Sequence, residues 1–503
     1  MKGAGLKIGV AGVGAMGAGI AQIAAQAGHH VFLYDARDGA AVAAEAAIKT
    51  RLWRLADKGQ LSQEDATQAM ARLQPVADLG GFAGADVVFE AIAENLEAKR
   101  KLFADLEGIV GPEALLATNT SSLSVTAIAR DCADPGRVCG AHFFNPVPLM
   151  KVVEIIAGAR SSADTVSRMA ALVESCGHRA VICRDTPGFL VNHAGRGLYT
   201  EGLRIVFENI AGPVDVDRVM REAAGFRMGP FELFDLTGID VSCPVLEQIY
   251  HHFFEEPRFR PTPLPRQRVD AGLLGRKAGL GFYEYREGRQ IYPPERSMPR
   301  EMPKAVWIGG DARHKRVVTD LVASLGVPID GNAAPRKDSL CLLAPVGVDA
   351  TSSALDLGLD PARTVAIDPL FGLGSRRCLM PTAITAPEHL VAAHGLLRRD
   401  GVPVTVIHDS PGFIAQRVVA MIVNIACDIA QQGIAAPDDI NMAVQLGLGY
   451  PLGPLALGDR TGPATILDIL EKMQNFYGDP RYRPSPWLKR RARLGVSLAT
   501  PEA

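Results

Sequence analysis

At 503 residues, with a formal net charge of −2, 48% hydrophobic and 21% charged residues, the chain has the make-up of an ordinary globular protein long enough for three or four domains. That balance gives no electrostatic reason to expect nucleic acid or an anionic membrane as partner, and no apolar run reaches the roughly eighteen residues of a membrane span. The eight cysteines are scattered without a CxxC pair or a histidine cluster, which excludes a disulfide framework or a zinc site, and with a glycine turn too early for a cleavable signal the expected location is the cytoplasm.

The first element is an apolar strand, Leu6 to Ala11, that runs into Gly12-Val13-Gly14-Ala15-Met16-Gly17. Gly12 lets the chain turn tightly off the strand, Gly14 lets backbone N–H groups approach a pyrophosphate, and Gly17 lets the following Ala-rich helix lie close to the strand. The phosphates then sit at a helix N-terminus, where unpaired N–H groups and the dipole favour anions. A second strand, Val31 to Asp35, ends in an acid that takes the two hydroxyls of an adenosine ribose and repels a 2′-phosphate, which points to NAD over NADP; Arg37 is the one nearby cation that works against this.

After Asp35, helical stretches (Ala40 to Lys58, Asn95 to Leu106) alternate with strands at Asp86–Glu90, Ala114–Asn119, Arg137–Phe144, Lys151–Ile156 and Ala180–Cys183. Such alternation predicts a mostly parallel sheet with helices on both faces, a Rossmann-type α/β domain over residues 1–185. Thr186-Pro187-Gly188 punctuates the chain, and residues 186–292 are helical in rhythm, from Phe189 to Gly212 and from Val214 to Ala224, with a strand only at Gly281–Tyr285. A proline-rich linker runs from Pro293 to Pro303.

The rest contains an internal repeat. Asp185-Thr186-Pro187-Gly188-Phe189 returns as Asp409-Ser410-Pro411-Gly412-Phe413, and Asp235-Leu236-Thr237-Gly238 returns at the same offset as Asp459-Arg460-Thr461-Gly462. A second mostly helical copy is therefore expected over 409–503. Residues 304–408 between the copies show a strand–helix–strand pattern whose first turn, Gly309-Gly310-Asp311, has no phosphate cradle, and they read as a degenerate α/β domain that binds no cofactor.

Two segments of the first domain carry chemistry. Asn119-Thr120-Ser121-Ser122 ends a strand, where hydroxyls serve either to bond a substrate oxygen or to cap the next helix. His142-Phe143-Phe144-Asn145-Pro146 is followed by Lys151-Val152-Val153-Glu154, and a hairpin-like return brings the Glu154 carboxylate onto the imidazole. Oxidising an alcohol by hydride transfer needs a base for the hydroxyl proton, and a carboxylate-held histidine supplies one.

GVGAMG, NTSSL, HFFNP, KVVEII and PGFLVN, in this order and along the whole chain, resemble the L-3-hydroxyacyl-CoA dehydrogenase family, and the duplicated helical domain resembles the long form found in bacterial phenylacetate degradation, which acts on 3-hydroxyadipyl-CoA. The resemblance implies NAD-dependent oxidation of (3S)-3-hydroxyacyl-CoA, 3-hydroxyadipyl-CoA or 3-hydroxybutyryl-CoA, with His142 as base, Glu154 orienting it, and Ser121 and Asn192 positioning the substrate. It places Glu94, Lys99, Asn145 and Lys277 near NAD beside the Gly12–Gly17 turn and Asp35, and gives Lys58 to CoA. It implies an acyl-CoA thioester as partner, no metal, and leaves room for a homodimer. Three departures stand out: His193 replaces the family's usual arginine, Gln416 replaces the asparagine in the second copy, and the segment at Asp368-Pro369-Leu370-Phe371 has no histidine. The second half is thus not expected to be a second active site, but to lie against the first helical domain and shape the acyl pocket. The rivals are a β-hydroxyacid dehydrogenase of the 6-phosphogluconate or hydroxyisobutyrate kind, in which HFFNP has no place, and a non-catalytic NAD-binding protein.

Overall fold

The computed structural model describes residues 5–295, 298–299 and 301–502, and the chain separates into two compact units, Met1–His193 with Gly433–Leu448, and Ala194–Gln432 with Gly449–Ala503. The linker read at Pro293 to Pro303 falls partly outside the described residues.

The first unit is built on one eight-stranded sheet: β1 (Lys7–Ala11), β2 (His30–Tyr34), β3 (Leu73–Pro75), β4 (Val87–Glu90), β5 (Leu115–Thr118), β6 (Val138–Phe143), β7 (Val152–Ala157) and β8 (Arg179–Arg184). Its order is β3-β2-β1-β4-β5-β6-β7-β8, parallel except where β7 returns antiparallel to β6. The strands are apolar on both sides because both faces are covered. Val87, Phe89, Leu115 and Ala117 point into one core with Ile20, Ile23 and Leu33, while Val88 and Leu116 point into another with Phe103, Leu106 and Ile128. The order reverses between β1 and β4, so the carboxyl ends of those strands open the crevice where ligands of doubly wound sheets bind.

Two local differences from the sequence expectation have physical causes. The helix expected from Phe189 starts only at Val191, because Gly188 and Phe189 hold positive φ angles of 75° and 49° that no right-handed helix accepts; after Gly195 it continues as Arg196–Phe207. The strand expected at Gly281–Tyr285 begins at Glu284, because the amides of Phe282 and Tyr283 donate to the Asp235 carboxylate at 2.9 and 2.8 Å instead of to a ladder. A long-range difference concerns Pro437–Leu448. This helix follows the second helical segment in sequence, yet it lies in the first unit on β7 and β8, where a side chain on Gly447 would press to within 2.9 Å of Val191.

The second unit holds a small hairpin, β9 (Glu284–Arg286) with β10 (Arg289–Ile291), and a five-stranded sheet of β11 (Ala305–Gly309), β12 (Ser339–Leu343), β13 (Thr364–Ile367), β14 (Arg377–Pro381) and β15 (Val404–Val406) in that order, antiparallel only between β13 and β14. Around them is a helical assembly centred on Ala415–Gln431, which is buried nearly all round, as its apolar circumference requires. It crosses Arg196–Phe207 so closely that a Cβ on Gly197 would lie 2.7 Å from the Ile422 α-carbon.

An ionic cluster is buried at this crossing. Arg417, fully buried, donates to Glu201 at 2.9 and 2.7 Å and to the hydroxyls of Tyr477 and Tyr482 at 2.9 and 3.1 Å. Burial pushes the Glu201 carboxyl up, and Arg417 with Arg481 outweighs it, so the group stays below the usual carboxylate range. Removing one member of a buried pair strands the other charge at a cost of about 3–5 kcal/mol. Arg417→Leu is therefore expected to lose stability of that order in urea unfolding, and adding Glu201→Leu to recover much of the loss; equal stability of the single variant and the parent would contradict the cluster's role.

Candidate active site

The glycine turn has the shape its residues predict. Gly12 sits at φ 92°, and a Cβ there would meet the Ala91 carbonyl oxygen at 2.6 Å; a Cβ on Gly17 would lie 1.8 Å from the Gly12 carbonyl oxygen. Gly14 is different: a Cβ there would meet nothing within 4 Å, because the space above it is open. The helix Ala15–Gln26 begins at this opening with no side-chain cap and no acid in its first turn, so the N–H groups at Ala15 and Met16 face no anion of the protein's own. Asp35, just past β2, accepts from the Val13 amide at 3.0 Å, and the exposed Arg37 guanidinium bonds both its oxygens at 2.9 and 3.1 Å. Those bonds hold the Asp35 carboxyl down to about 2, so it is ionised throughout the neutral range. An open, uncapped N-terminus beside a fixed carboxylate fits a dinucleotide's pyrophosphate and adenosine ribose.

Across the sheet, β6 and β7 place His142 directly opposite Glu154, and Nδ1 of the buried imidazole lies 2.5 Å from Glu154 Oε2. The other carboxylate oxygen accepts the amides of Leu190 and Val191 at 2.9 and 2.7 Å. These two donors are aimed by the left-handed turn at Gly188 and Phe189, and the Phe144 and Phe189 rings flank the imidazole at 4.4 and 5.8 Å between centroids. Asn192 follows Val191 on the same short helix, half-buried. Asn119, at the end of β5, accepts from the Phe143 amide at 2.8 Å and ties the NTSS loop to the strand that carries His142.

The loop at Ser121 is held by charge. Glu94 Oε1 accepts from Thr120 Oγ1 at 2.6 Å and from the Ser121 and Ser122 amides at 3.1 and 3.2 Å. Its other oxygen pairs with Lys99 at 3.2 Å, and Lys99 Nζ also donates to Glu90 at 2.6 Å. Lys99 is 1% exposed and Glu90 is fully buried, with Thr118 completing the set at 2.6 Å. Lys99 is thus no solvated surface charge: its ammonium is spent inside the protein. Lys58, by contrast, is exposed at the C-terminal end of Ala40–Asp57, and Asn145 is exposed just past β6. Lys277 belongs to the second unit, where it bonds Asp240 at 2.6 Å beside Gly238.

Sequence reasoning missed three participants. The Leu190 and Val191 amides carry no letter of their own, although the repeated DTPGF turn signalled that a special backbone precedes Asn192. Glu90 could have been found as an acid ending an apolar strand, which needs a buried cation nine residues on at Lys99.

Comparison with known proteins bears on this arrangement. The description "3-hydroxyacyl-CoA dehydrogenase, NAD binding domain" matches residues 7–186, and "3-hydroxyacyl-CoA dehydrogenase, C-terminal domain" matches residues 188–285 and again 412–499. The chain is 38% identical over 97% of its length, and over 97% of the relative's, to 3-hydroxyadipyl-CoA dehydrogenase of Escherichia coli. A 3-hydroxybutyryl-CoA dehydrogenase of Bradyrhizobium diazoefficiens is 36% identical, covering 57% of this chain but 97% of its own. Among solved structures, a 3-hydroxybutyryl-CoA dehydrogenase from Escherichia coli superposes with a TM-score of 0.85 at 38% identity, over 97% of this chain and 98% of that one.

The contact at Gly17 leads to an expected outcome. Gly17→Ala must push the first helix off β1, so NADH binding, followed by fluorescence, should weaken by at least about tenfold; an unchanged Kd would show that the turn is not the cofactor's seat.

Proposed function

The chain belongs to the 3-hydroxyacyl-CoA dehydrogenase family, and from that premise we propose that His142, oriented by Glu154, is the base of its reaction. The protein is an NAD-dependent enzyme that oxidises 3-hydroxyacyl-CoA to 3-oxoacyl-CoA. The observation that carries the assignment of the base is the 2.5 Å contact between His142 Nδ1 and Glu154 Oε2. With Nδ1–H donated to the carboxylate, Nε2 is left as the acceptor for the substrate's 3-hydroxyl proton. Glu154, fixed by the Leu190 and Val191 amides on its other oxygen, is placed to stabilise the imidazolium formed when the proton arrives. The Gly12–Gly17 turn and Asp35 would hold NAD, which when bound would supply the acceptor for the hydride from C3. Ser121 and Asn192 orient the substrate oxygen, Glu94 and Lys99 keep the Ser121 loop in place, and Asn145, Lys277 and Lys58 complete the cofactor and CoA contacts. The β-hydroxyacid dehydrogenase and non-catalytic readings are not favoured.

The acyl group is the open specificity. Full-length matches bear the names 3-hydroxyadipyl-CoA dehydrogenase and 3-hydroxybutyryl-CoA dehydrogenase alike, and the dicarboxylic substrate is carried forward on the resemblance of the repeated helical domain to the long form. Following NADH loss with 3-oxoadipyl-CoA and acetoacetyl-CoA side by side tests this: the dicarboxylic thioester should show the higher kcat/KM, and the reverse order would overturn it. Eight free and mostly buried cysteines suit the reducing cytoplasm, and among the described residues no helix is long and apolar enough to cross a membrane.

The domain reading goes with this function: an NAD-binding domain at 1–185, a helical domain at 186–292, an α/β domain at 304–408 and a second helical copy at 409–503. Several parallels support a duplication. The sheet β11-β12-β13-β14-β15 has the order and directions of β4-β5-β6-β7-β8. The Val125 and Thr126 amides donate to Asp185 as the Ala350 and Thr351 amides donate to Asp409. Phe189 and Phe413 share a positive φ of 49° and 50°. On this reading the second half lacks counterparts of β1–β3, and with them the phosphate turn. Asp368 stands where His142 does, bonded by Gln416 at 2.9 Å, and Cys378 stands where Glu154 does.

Two outcomes are expected. His142→Gln should still bind NADH while kcat falls by about 10²- to 10⁴-fold; near-normal turnover would remove the base from His142. Burial pushes the Asp368 carboxyl up to about 6, so the native state holds its proton more tightly than the unfolded chain. That contribution is present below about pH 4 and is lost as pH rises through about 6. Asp368→Asn should flatten this part of the stability profile in urea unfolding and leave kcat unchanged; a fall in kcat would give the second half a catalytic part.

A further inference from the structure

A cavity of about 510 Å³ opens in the second unit at the carboxyl ends of β11 and β13. Its walls come from the first turn of the helix Ala312–Ser324, the loop after β13, the segment Glu222–Gly225 and the Arg460-Thr461 pair. Its side chains are weighted to one sign. Arg313, His314 and Arg460 line it, and among the described residues no ion pair involves Arg313 or Arg460. The acid on the wall, Glu222, is already taken by Arg376 at 2.9 Å. His314 is locked: Asp311 caps the helix through the Arg313 and His314 amides at 3.1 Å each, and its second oxygen bonds His314 Nδ1. That leaves His314 Nε2, a buried atom with no hydrogen-bond partner, on a ring that lines the cavity.

We infer that this cavity is a second ligand site, taking a phosphate-bearing small molecule. Two guanidinium groups that form no ion pair among the described residues give a donor set for a tetrahedral dianion, on the same wall as the carboxylate-held imidazole. The volume lies within the range of about 300–1,000 Å³ usual for small-molecule sites and exceeds what a lone phosphate fills. Position argues the same way, since ligands of such sheets bind outside the carboxyl ends of their strands. In the duplication proposed above, the lining segments correspond to those that follow β4 and β6 and to Leu236-Thr237. Arg460 supplies at its turn the cation that Lys277 brings to Gly238. The duplication accounts for where the cavity is; its own lining decides what it binds, and the site goes beyond the dehydrogenase reaction.

The test uses the full-length protein saturated with NADH, so that the first dinucleotide site is filled. Pyrophosphate, ADP and CoA are titrated separately by calorimetry into the parent and into Arg313→Ala/Arg460→Ala. The expected result is one molecule per chain of at least one probe, bound at least tenfold more weakly by the double variant, with NADH affinity and kcat on a 3-oxoacyl-CoA unchanged. The probe that binds best identifies the phosphate's source as inorganic, nucleotide or CoA. Failure of all three to bind, or binding that survives the double substitution and so belongs to the catalytic site, overturns the proposal. Unchanged turnover in that case leaves the dehydrogenase assignment standing. Both arginines are exposed, and a matched melting temperature verifies that the variant is folded.

Discussion

The Glu154 carboxylate is the point on which the first unit's chemistry depends. It is fully buried, a placement that costs several kcal/mol for a bare anion, and it is tolerated because each oxygen has its own partners. One oxygen meets the imidazole across the antiparallel pair; the other receives two amides from the turn after β8. The single antiparallel return in an otherwise parallel sheet puts His142 and Glu154 face to face, and the left-handed turn at Phe189 delivers the amides. A parallel connection at that point would have offset the two side chains along the sheet, and a helical Phe189 would have turned the amides into the helix ladder. Chemistry and topology are therefore one constraint here.

A second charged chain, Thr118–Glu90–Lys99–Glu94, does for the Ser121 loop what the amides do for Glu154. Two carboxylates share one buried ammonium, and the leftover acceptor capacity of Glu94 is spent on main-chain N–H groups of the loop. Such a set fixes loop geometry more firmly than packing does, because any displacement leaves a buried charge short of a partner.

What the sequence disclosed follows from the range of each constraint. The glycine turn was legible in full, since Gly12 and Gly17 answer to atoms a few residues away or on the adjoining strand. His142 and Glu154 were legible because strand alternation and a short return decide which residues face each other. The burial of Lys99 was not legible, since its exposure depends on β4 and the helix Leu96–Glu107 closing over it. The helix Pro437–Leu448 was grouped by sequence with its neighbours, whereas its place is decided by a close approach of Gly447 to Val191, residues far apart in the chain. The start of β9 was displaced for a related reason: Asp235, nearly fifty residues earlier, claims the amides first.

The proposed duplication separates scaffold from chemistry. Both halves keep the Asp185 or Asp409 carboxylate across two helix amides and keep a left-handed phenylalanine after a glycine, because those contacts hold a loop to a sheet whether or not anything reacts nearby. The dyad has no such second duty. Asp368 and Cys378 stand in for His142 and Glu154 on this reading: Gln416 and the Leu370 amide bond Asp368 Oδ1, and the Ile414 amide bonds Cys378. Losing the strands that carry the phosphate turn removes the cofactor's seat outright, but it leaves the carboxyl edge of the remaining sheet open. An edge that is open and lined by two arginines with no ion pair among the described residues is an anion's environment. On the proposed duplication, the second half keeps the contacts that hold loop to sheet without the dyad or the phosphate turn, and its open edge is where the proposed ligand would sit.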